Sequence, residues 1–333
     1  MDIDVFVATH RGEWDRLEAL IRRQRSLSGA EADELVDLYQ RVATHLSIVR
    51  SSAPDPALVG RLSTLVAKAR GVVTGTRSTS TRELGRFFTV RFPAAVYRAR
   101  WWWISTAGAF LVVSLALGWW VAVNPDVQAR IATPAAIKDL VQQQFQSYYS
   151  SNPAGDFAFH VWTNNAWVAA LSIASGALLG LPIPWMLAQN AANVGVEGGL
   201  MAAHGRLDLF FGLILPHGLL ELTAVFIAAG VGMRLGWTIV APGERPRGEA
   251  MATEGRAAVG VALGLVCVLL VSGVIEAFVT PSPLPTAARV GIGVAVWAGF
   301  IAYIFILGGR AARAGETGDI DAAAVGDLLP AAG

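Results

Sequence analysis

The sequence predicts an all-α membrane protein, a polytopic helix bundle of about six spans with an N-terminal cytoplasmic helical hairpin domain. The chain has 333 residues, of which 54% are hydrophobic and only 15% are charged. In soluble domains the charged share is about a quarter. The hydrophobic residues form runs of roughly 20, the length that crosses a bilayer. The charges lie elsewhere, because residues 1–100 hold 16 of the 26 lysines and arginines.

The first 76 residues have the periodicity of amphipathic helices of the soluble kind. Apolar residues at helical spacing predict a first helix. Ser28 followed by Glu31 is a capping-box pattern and predicts the start of a second. Pro54-Asp55-Pro56 breaks the chain before a third, so we expect residues 1–76 to form a cytoplasmic helical domain. The apolar positions are Phe6, Trp14, Leu17 and Ile21, then Leu35, Leu38, Val42, Leu46 and Val49, then Leu58, Leu62, Leu65 and Ala69.

Residues 77–100 form a basic and aromatic segment. Between Arg70 and Arg100 there are seven arginines and one acidic residue, Glu83. Basic and aromatic residues together occur in nucleic-acid sites and at membrane interfaces. Here they run into three tryptophans, residues 101–103, and an apolar span. Tryptophan favours the membrane boundary. We therefore expect an interfacial segment whose arginines lie near anionic lipid, and no nucleic-acid partner.

Residues 101–309 are predicted to form the transmembrane bundle. A weaker, more polar run at residues 182–203 decides the topology. If it crosses, every arginine-rich segment lies in the cytoplasm, as the positive-inside rule requires; if it does not, loop 233–256 lies outside. We expect six spans, both termini cytoplasmic, and a disordered tail over residues 310–333. The strong spans are Trp101–Val123, Phe157–Leu181, Leu207–Gly232, Ala257–Val279 and Arg289–Gly308.

Ionisable and amide side chains lie inside these apolar spans. His217 and Glu221 are four residues apart, one turn along the same helix face. Such groups are costly at membrane depth and usually face a protein interior or a water-filled cavity. With six spans, several other polar residues fall at a similar depth, and we expect them to contribute to a polar membrane centre. These residues are Asn164, Asn165, Asn190 and Glu276.

Three interpretations of this polar centre remain open. Its groups could fix the bundle by hydrogen bonds between helices, or line a conduit or cavity for a proton, an ion or a lipid headgroup. In the third, His217 and Glu221 bind zinc with Glu276 or His160 as the third ligand. The sequence lacks a His-Glu-x-x-His run, and one His–Glu pair is a weak signal. We therefore assign no catalytic residue, no metal and no cofactor.

Small residues recur every four positions in two of the spans. Ser172, Gly176 and Gly180 form one ridge, and Gly260 and Gly264 form another. Such ridges let neighbouring helices approach closely. Most pack within one chain and the rest join copies of a chain, so a homo-oligomer remains open.

Several segments, in order, resemble the stage II sporulation protein M family of bacterial integral membrane proteins. Pro216-His217-Gly218 with Glu221 inside a membrane helix is the most specific, and the resemblance extends to about residue 308. The Trp-, Arg- and Ala-rich composition is similar to that of an actinobacterial-type member. The supporting segments are Trp14-Asp15-Arg16-Leu17, Asn164-Asn165, Arg234-Leu235-Gly236, and Glu276-Ala277-Phe278 with Thr280-Pro281.

The resemblance implies a plasma-membrane location and a non-enzymatic role. Founding members of the family act in engulfment during endospore formation, where they hold cell-wall-degrading enzymes in a membrane complex. We therefore expect a scaffold that recruits or positions cell-envelope proteins and contacts membrane lipids. The resemblance also implies a MoxR-type ATPase as a cytoplasmic partner. The alternatives are a transporter- or permease-like subunit for an ion, lipid or envelope precursor, and an intramembrane metallohydrolase.

Overall fold

The chain is helical throughout the part that the structure describes. The structure, a computed structural model, describes residues 3–24, 26–52, 55–73, 81–144 and 153–320. These residues contain no β-strand, so the predicted all-α class is confirmed. The chain divides into two compact units, Met1–Leu84 and Gly85–Gly333.

Three long helices of the unit Met1–Leu84 enclose one apolar core. Helix α1 (Ile3–Arg22), α2 (Gly29–Ser52) and α3 (Pro56–Val73) each contribute the apolar face that their periodicity predicts. Trp14, Val42 and Leu62 are fully buried at its centre. The capping box is present, since Ser28 N donates to Glu31 Oε2 over 2.9 Å and Glu31 N donates to Ser28 Oγ over 3.3 Å. A short helix, α4 (Thr81–Arg86), follows.

The described part of the unit Gly85–Gly333 contains six long helices. They are α6 (Arg100–Val123), α9 (Ala154–Ala174), α10 (Pro182–Ala203), α11 (Leu207–Val240), α12 (Arg247–Val274) and α13 (Thr286–Tyr303). The short helices are α5 (Phe92–Arg98), α7 (Pro125–Ile131), α8 (Pro134–Asp139) and α14 (Gly309–Arg313). Single π-helical turns lie at Phe87–Arg91, Leu140–Gln144, Ile275–Val279 and Ile304–Gly308, and a 3₁₀ turn lies at Ser175–Leu178.

Four helices of the described residues are long and apolar enough to cross a membrane. They are Arg100–Val123, Leu207–Val240, Arg247–Val279 and Thr286–Arg313. Helices α9 and α10 fall outside this set although they have 21 and 22 residues. Amide and ionisable side chains interrupt their apolar runs and lower their mean hydropathy. The polar residues responsible are His160, Asn164, Asn165, Gln189, Asn190, Asn193 and Glu197.

Helices α6 and α10 run parallel to one another in close contact. Ser114 Oγ donates to Ala191 O over 3.1 Å. One turn further along both helices, Gly118 faces the carbonyl of Gly195. The contacts advance in the same direction along the two chains, which defines a parallel pair. Their closeness depends on glycine, because small residues let membrane helices approach.

Helix α11 is the central element and packs against α6, α9, α12 and α13. It runs antiparallel to α12, because Ser272 contacts His217 towards one end and Glu254 contacts Arg234 towards the other. Phe226 contacts Phe110, and Gly230 contacts Trp103, so α11 is antiparallel to α6. Contacts with α9 and with α13 advance in the same direction along both chains, so α11 is parallel to these two helices. The six long helices therefore alternate in direction in chain order.

The small-residue ridge of the second predicted span packs against α11. A Cβ added at Gly176 would lie 2.6 Å from the carbonyl oxygen of Gly232. Ser172 is buried beside the same glycine, and Gly180, at φ +72°, faces Met233. The ridge therefore lies within the chain, between α9 and α11.

The second ridge also faces other parts of the same chain. Gly264 of α12 lies directly under the ring of Phe92 in α5, and a Cβ at Gly260 would lie 3.1 Å from Ile320. Asp319 is buried and accepts two hydrogen bonds from Arg256, at 2.7 and 2.6 Å. The last part of the predicted disordered tail, residues 321–333, lies outside the described residues.

Candidate functional site

Three ionisable side chains meet inside the bundle, and we call them the His–Glu–Glu cluster. His217 and Glu221 come from α11, and Glu276 comes from the π-helical turn that follows α12. One ligand atom of each side chain lies within 4.8 Å of the other two. His217 is 6% exposed and Glu276 is 5% exposed, while Glu221 is half-buried. Three of the residues predicted for a polar centre therefore lie within reach of one another.

Local backbone geometry explains why Glu276 reaches α11. Residues Ile275–Val279 form a π-helical turn, in which Thr280 N donates to Ile275 O over 3.0 Å. One extra residue in the turn rotates the side chains that follow it, and such turns are frequent at functional sites. Ser272 before the turn, Glu276 within it and Thr280 after it all face α11.

The imidazole of His217 contacts both sides of this turn. Its Nδ1 lies 3.2 Å from Thr280 Oγ1, and its Nε2 lies 3.8 Å from Glu276 Oε1. Ser272 Oγ donates to the backbone carbonyl of His217 over 3.2 Å. The backbone and the side chain of one residue are therefore both fixed by α12 and its final turn.

The two carboxylates are incompletely hydrogen-bonded by the described residues. Asn165 of α9 hydrogen-bonds Glu221. The second oxygen of each carboxylate, Glu221 Oε2 and Glu276 Oε2, is buried without a hydrogen-bond partner among the described residues. Leaving a buried acceptor unsatisfied costs about 1–3 kcal/mol, and more for a charged group. A proton or a cation bound at the cluster would remove this cost.

Helix α13 closes the cluster from its other side. Gly293 lies against the backbone of Pro216, and a Cβ added there would lie 2.6 Å from Pro216 Cα. Arg289 Nη1 donates to the carbonyl of Thr280, and Arg289 Nη2 donates to Thr286 Oγ1 over 3.1 Å. Thr280 therefore connects α11 to α13 by its side chain and its carbonyl.

The remaining residues predicted for the polar centre lie elsewhere. Asn164 is exposed, because it precedes Asn165 by one residue and neighbouring side chains on a helix point about 100° apart. Asn190 is also exposed, and its amide donates to Met186 O in its own helix over 2.8 Å. His160, considered as a third metal ligand, is exposed too, whereas Glu276 is the residue that joins the pair.

Two residues of the site were not identified from the sequence. Ser272 and Thr280 contact His217 directly. A signal for them exists, since Ser272, Glu276 and Thr280 recur every four residues and so share a helix face. Polar residues at this period in an apolar span would have indicated a buried polar face.

A second group of potential ligands lies in the unit Met1–Leu84. His10, Glu13 and His45 offer ligand atoms within 4.8 Å of one another. Trp14 Nε1 donates to His45 Nδ1 over 3.2 Å, and the rings of His10 and His45 lie 4.1 Å apart. Burial lowers the pKa of His45, and the neighbouring His10 lowers it further. Trp14 therefore holds the ring of His45 in the helical core of this unit by a hydrogen bond.

Comparison of the chain with known proteins gives its family. The family model described as Stage II sporulation protein M matches residues 107–281, more than half of the chain. The chain belongs to the stage II sporulation protein M family. The match contains His217, Glu221 and Glu276 together with Thr280. The resemblance predicted from the sequence is thereby confirmed, and the chain is a membrane protein of this family.

The N-terminal unit has a match of its own. A family model described as a domain of unknown function (DUF8413) covers residues 4–75.

The chain is also similar to a protein from Methanocaldococcus jannaschii, "Uncharacterized protein MJ0793", which is 35% identical over 80 residues. That alignment covers 24% of this chain and 45% of the relative, so the chain spans less than half the length of this relative. No solved structure matches the chain.

Proposed function

We propose that this family member is a non-enzymatic scaffold of the bacterial plasma membrane, which recruits or positions cell-envelope proteins. The observation that carries the proposal is the compact unit Met1–Leu84, which has an apolar core of its own. Because the core is completed by α1, α2 and α3, we propose that the charged outer faces of these helices bind the partners. A MoxR-type ATPase, which the family resemblance implies, is the cytoplasmic partner that we propose for this unit.

The enclosed cluster supports a scaffold over a conduit. A proton or ion path needs side chains that water reaches, at least from one side. His217 and Glu276 are each less than a tenth exposed, and Gly293 brings α13 into backbone contact beside them. We infer that the cluster holds α11, α12 and α13 together rather than conducting a solute.

We propose six spans with both termini in the cytoplasm. The alternation of the long helices supports this topology, since α10 runs parallel to α6 and opposite to α11. This direction is the one that α10 would have if it crossed the membrane as a separate span before α11. The arginine excess before α6 supports the cytoplasmic placement of the N-terminal unit.

Exposed tryptophans support contact with membrane lipids at both ends of α6. Trp101 is 68% exposed near its start, and Trp119 is 70% exposed near its end. Eighteen residues separate them in the sequence. At about 1.5 Å per residue this is about 27 Å, close to the thickness of a bilayer core. Tryptophans at both boundaries are typical of a spanning helix.

Deletion of residues 1–84 tests the scaffold proposal. Membranes that contain the full chain or the truncated chain are cross-linked, and captured proteins are identified by mass spectrometry. We expect the bundle to remain in the membrane at a similar level while defined cell-envelope partners or a cytoplasmic ATPase are lost. An unchanged partner set, at equal protein levels, would contradict recruitment through this unit.

The two alternatives make different predictions for purified protein. A transporter subunit predicts solute flux in proteoliposomes that is abolished by Glu221→Leu. A metallohydrolase predicts peptide cleavage that depends on bound metal and on Glu276. A homo-oligomer would have to use a surface other than the two small-residue ridges, because α5, α11 and the C-terminal segment already cover these ridges.

A further inference from the structure

We propose that His217, Glu221 and Glu276 bind one divalent metal ion, with zinc as the first candidate. The inference goes beyond recruitment of envelope proteins and stands on the geometry of three side chains. Imidazole and carboxylate groups are common ligands of zinc. The site would connect α11 to the final turn of α12, and so act as a structural centre of the bundle.

The spacing of the three groups is close to that of a coordination shell. Ligand atoms bound to one zinc ion at about 2.0–2.2 Å lie about 3.3 Å apart in tetrahedral geometry. The three ligand atoms here lie within 4.8 Å of one another, and His217 Nε2 is 3.8 Å from Glu276 Oε1. Small rotations of the two glutamate side chains would close the set, because each carboxylate has rotatable bonds on its own helix.

Hydrogen bonding by Thr280 presents the correct face of the imidazole. Thr280 Oγ1 donates to Ile275 O over 3.4 Å and lies 3.2 Å from His217 Nδ1. With its proton directed to Ile275, the hydroxyl accepts from Nδ1–H. The neutral imidazole then carries a lone pair on Nε2, the nitrogen that faces Glu276. Metal-binding histidines are commonly oriented by a hydrogen bond to the other ring nitrogen in this way.

The carboxylates provide the second, independent observation. Glu276 is only 5% exposed, and its Oε2 is without a hydrogen-bond partner among the described residues. Glu221 Oε2 is also buried without a hydrogen-bond partner among the described residues, and Asn165 orients this carboxylate. A divalent cation would neutralise two carboxylates in an apolar bundle, where unpaired charge is costly. One of these oxygens, or a water, would complete four-coordination.

The group of His10, Glu13 and His45 differs from the His–Glu–Glu cluster in which nitrogen of its histidine can bind a metal. In the unit Met1–Leu84, His45 Nδ1 accepts from Trp14 Nε1, so the neutral ring carries its proton on Nε2. That nitrogen is the one that faces Glu13, at 3.9 Å. A protonated nitrogen cannot ligate a metal. We therefore assign a metal to the His–Glu–Glu cluster alone.

Metal content of the full chain tests the proposal. Detergent-purified protein is stripped with a chelator, reloaded with zinc, desalted and measured by mass spectrometry. We expect about one zinc per wild-type chain and at least a tenfold loss in His217→Ala and Glu276→Gln. Glu249→Gln is the matched control, because Glu249 is exposed at the start of α12. His10→Ala/His45→Ala should also keep its zinc.

Two results would overturn the site. One is wild-type protein that holds less than about a tenth of a zinc per chain after reloading. The other is equal zinc in Glu276→Gln and Glu249→Gln. To separate loss of metal from loss of folding, each variant is accepted only if it elutes as a single species at the wild-type volume on gel filtration.

X-ray absorption at the zinc edge provides a readout that needs no variant. We expect a shell of nitrogen and oxygen at about 2.0–2.2 Å and no sulfur. A zinc–sulfur distance of about 2.3 Å would instead indicate binding at the single cysteine, Cys267, and would contradict the proposal.

Discussion

His217 Nε2 lies 3.8 Å from Glu276 Oε1, across the contact between α11 and the turn after α12. The two side chains are each more than nine-tenths buried. Around this contact, Thr280 orients the imidazole and Arg289 binds the carbonyl of Thr280. This buried polar contact therefore lies where three helices of the bundle are fixed to one another.

A side chain at Gly293 should separate α13 from α11. A Cβ at Gly293 would lie 2.6 Å from Pro216 Cα, whereas a Cβ at Gly291 would meet nothing within 4 Å. We expect Gly293→Val to lower the free energy of unfolding in detergent by about 1–3 kcal/mol, the usual cost of overpacking. Gly291→Val on the same helix is the control and should stay within about 0.5 kcal/mol. Equal effects of the two variants would contradict the close approach.

Loss of the Thr280 hydroxyl should weaken the His–Glu–Glu cluster. Thr280→Val keeps the shape but leaves His217 Nδ1 without this contact, so we expect a loss of about 1–2 kcal/mol in unfolding free energy. Thr280→Ser should restore most of it. Thr253→Val removes a hydroxyl that bonds only within its own exposed helix turn and should have little effect. A neutral Thr280→Val variant would show that the hydroxyl does not position the imidazole.

Residues 1–84 should fold without the bundle. The core around Trp14, Val42 and Leu62 is complete within this unit. We expect a fragment of residues 1–84 to be helical by circular dichroism and to unfold cooperatively. Trp14 is the only tryptophan of the fragment and is fully buried, so its emission should shift to longer wavelength on unfolding. A fragment without a cooperative transition would contradict the division into two units.

The same fragment should lose stability when the pH falls below about 6.5. Burial lowers the pKa of His45 from its ordinary value of 6.5, so the unfolded chain binds a proton at a higher pH than the folded unit does. The stability is therefore fully present above pH 6.5 and falls with pH below it. We expect His45→Gln to flatten the melting temperature between pH 7.5 and about 5. A melting temperature of the wild-type fragment that is constant over this range would contradict a neutral, buried His45.

Two glutamates of the unit should act only in a more acidic range. Hydrogen bonds with Ser28 lower the pKa of Glu31 from 4.5, and a hydrogen bond from Arg16 lowers that of Glu34. Their contribution is present above pH 4.5 and is lost as the pH falls through the lowered values. The titration of His45 can therefore be measured apart from theirs.

Periodicity in the sequence was sufficient to predict helices, because burial of one face leaves a pattern of its own. Trp14 and Leu62 of the N-terminal unit lie in the core for this reason. The capping box at Ser28 and Glu31 is likewise a local arrangement that four residues determine. The polar pair His217 and Glu221 was conspicuous because both lie in an apolar span.

The partners of that pair depended on the register between helices, which no local pattern encodes. Asn165 reaches Glu221 while the adjacent Asn164 does not, since each residue turns the helix by about 100°. Glu276 reaches His217 through a π-helical turn that the sequence gives no sign of. Similar composition therefore led to equal expectations for Asn164, Asn190 and Glu276, although only Glu276 joins the cluster.

A double-mutant cycle between His217 and Glu276 tests most directly whether the polar centre is formed. The unfolding free energy in detergent is measured for wild type, His217→Ala, Glu276→Gln and the double variant. Because the side chains are in contact, we expect a coupling energy of at least about 1 kcal/mol. The control cycle of His217→Ala with Glu249→Gln should be additive within about 0.5 kcal/mol. Additivity in the first cycle as well would show that the two residues do not meet, and would contradict the account.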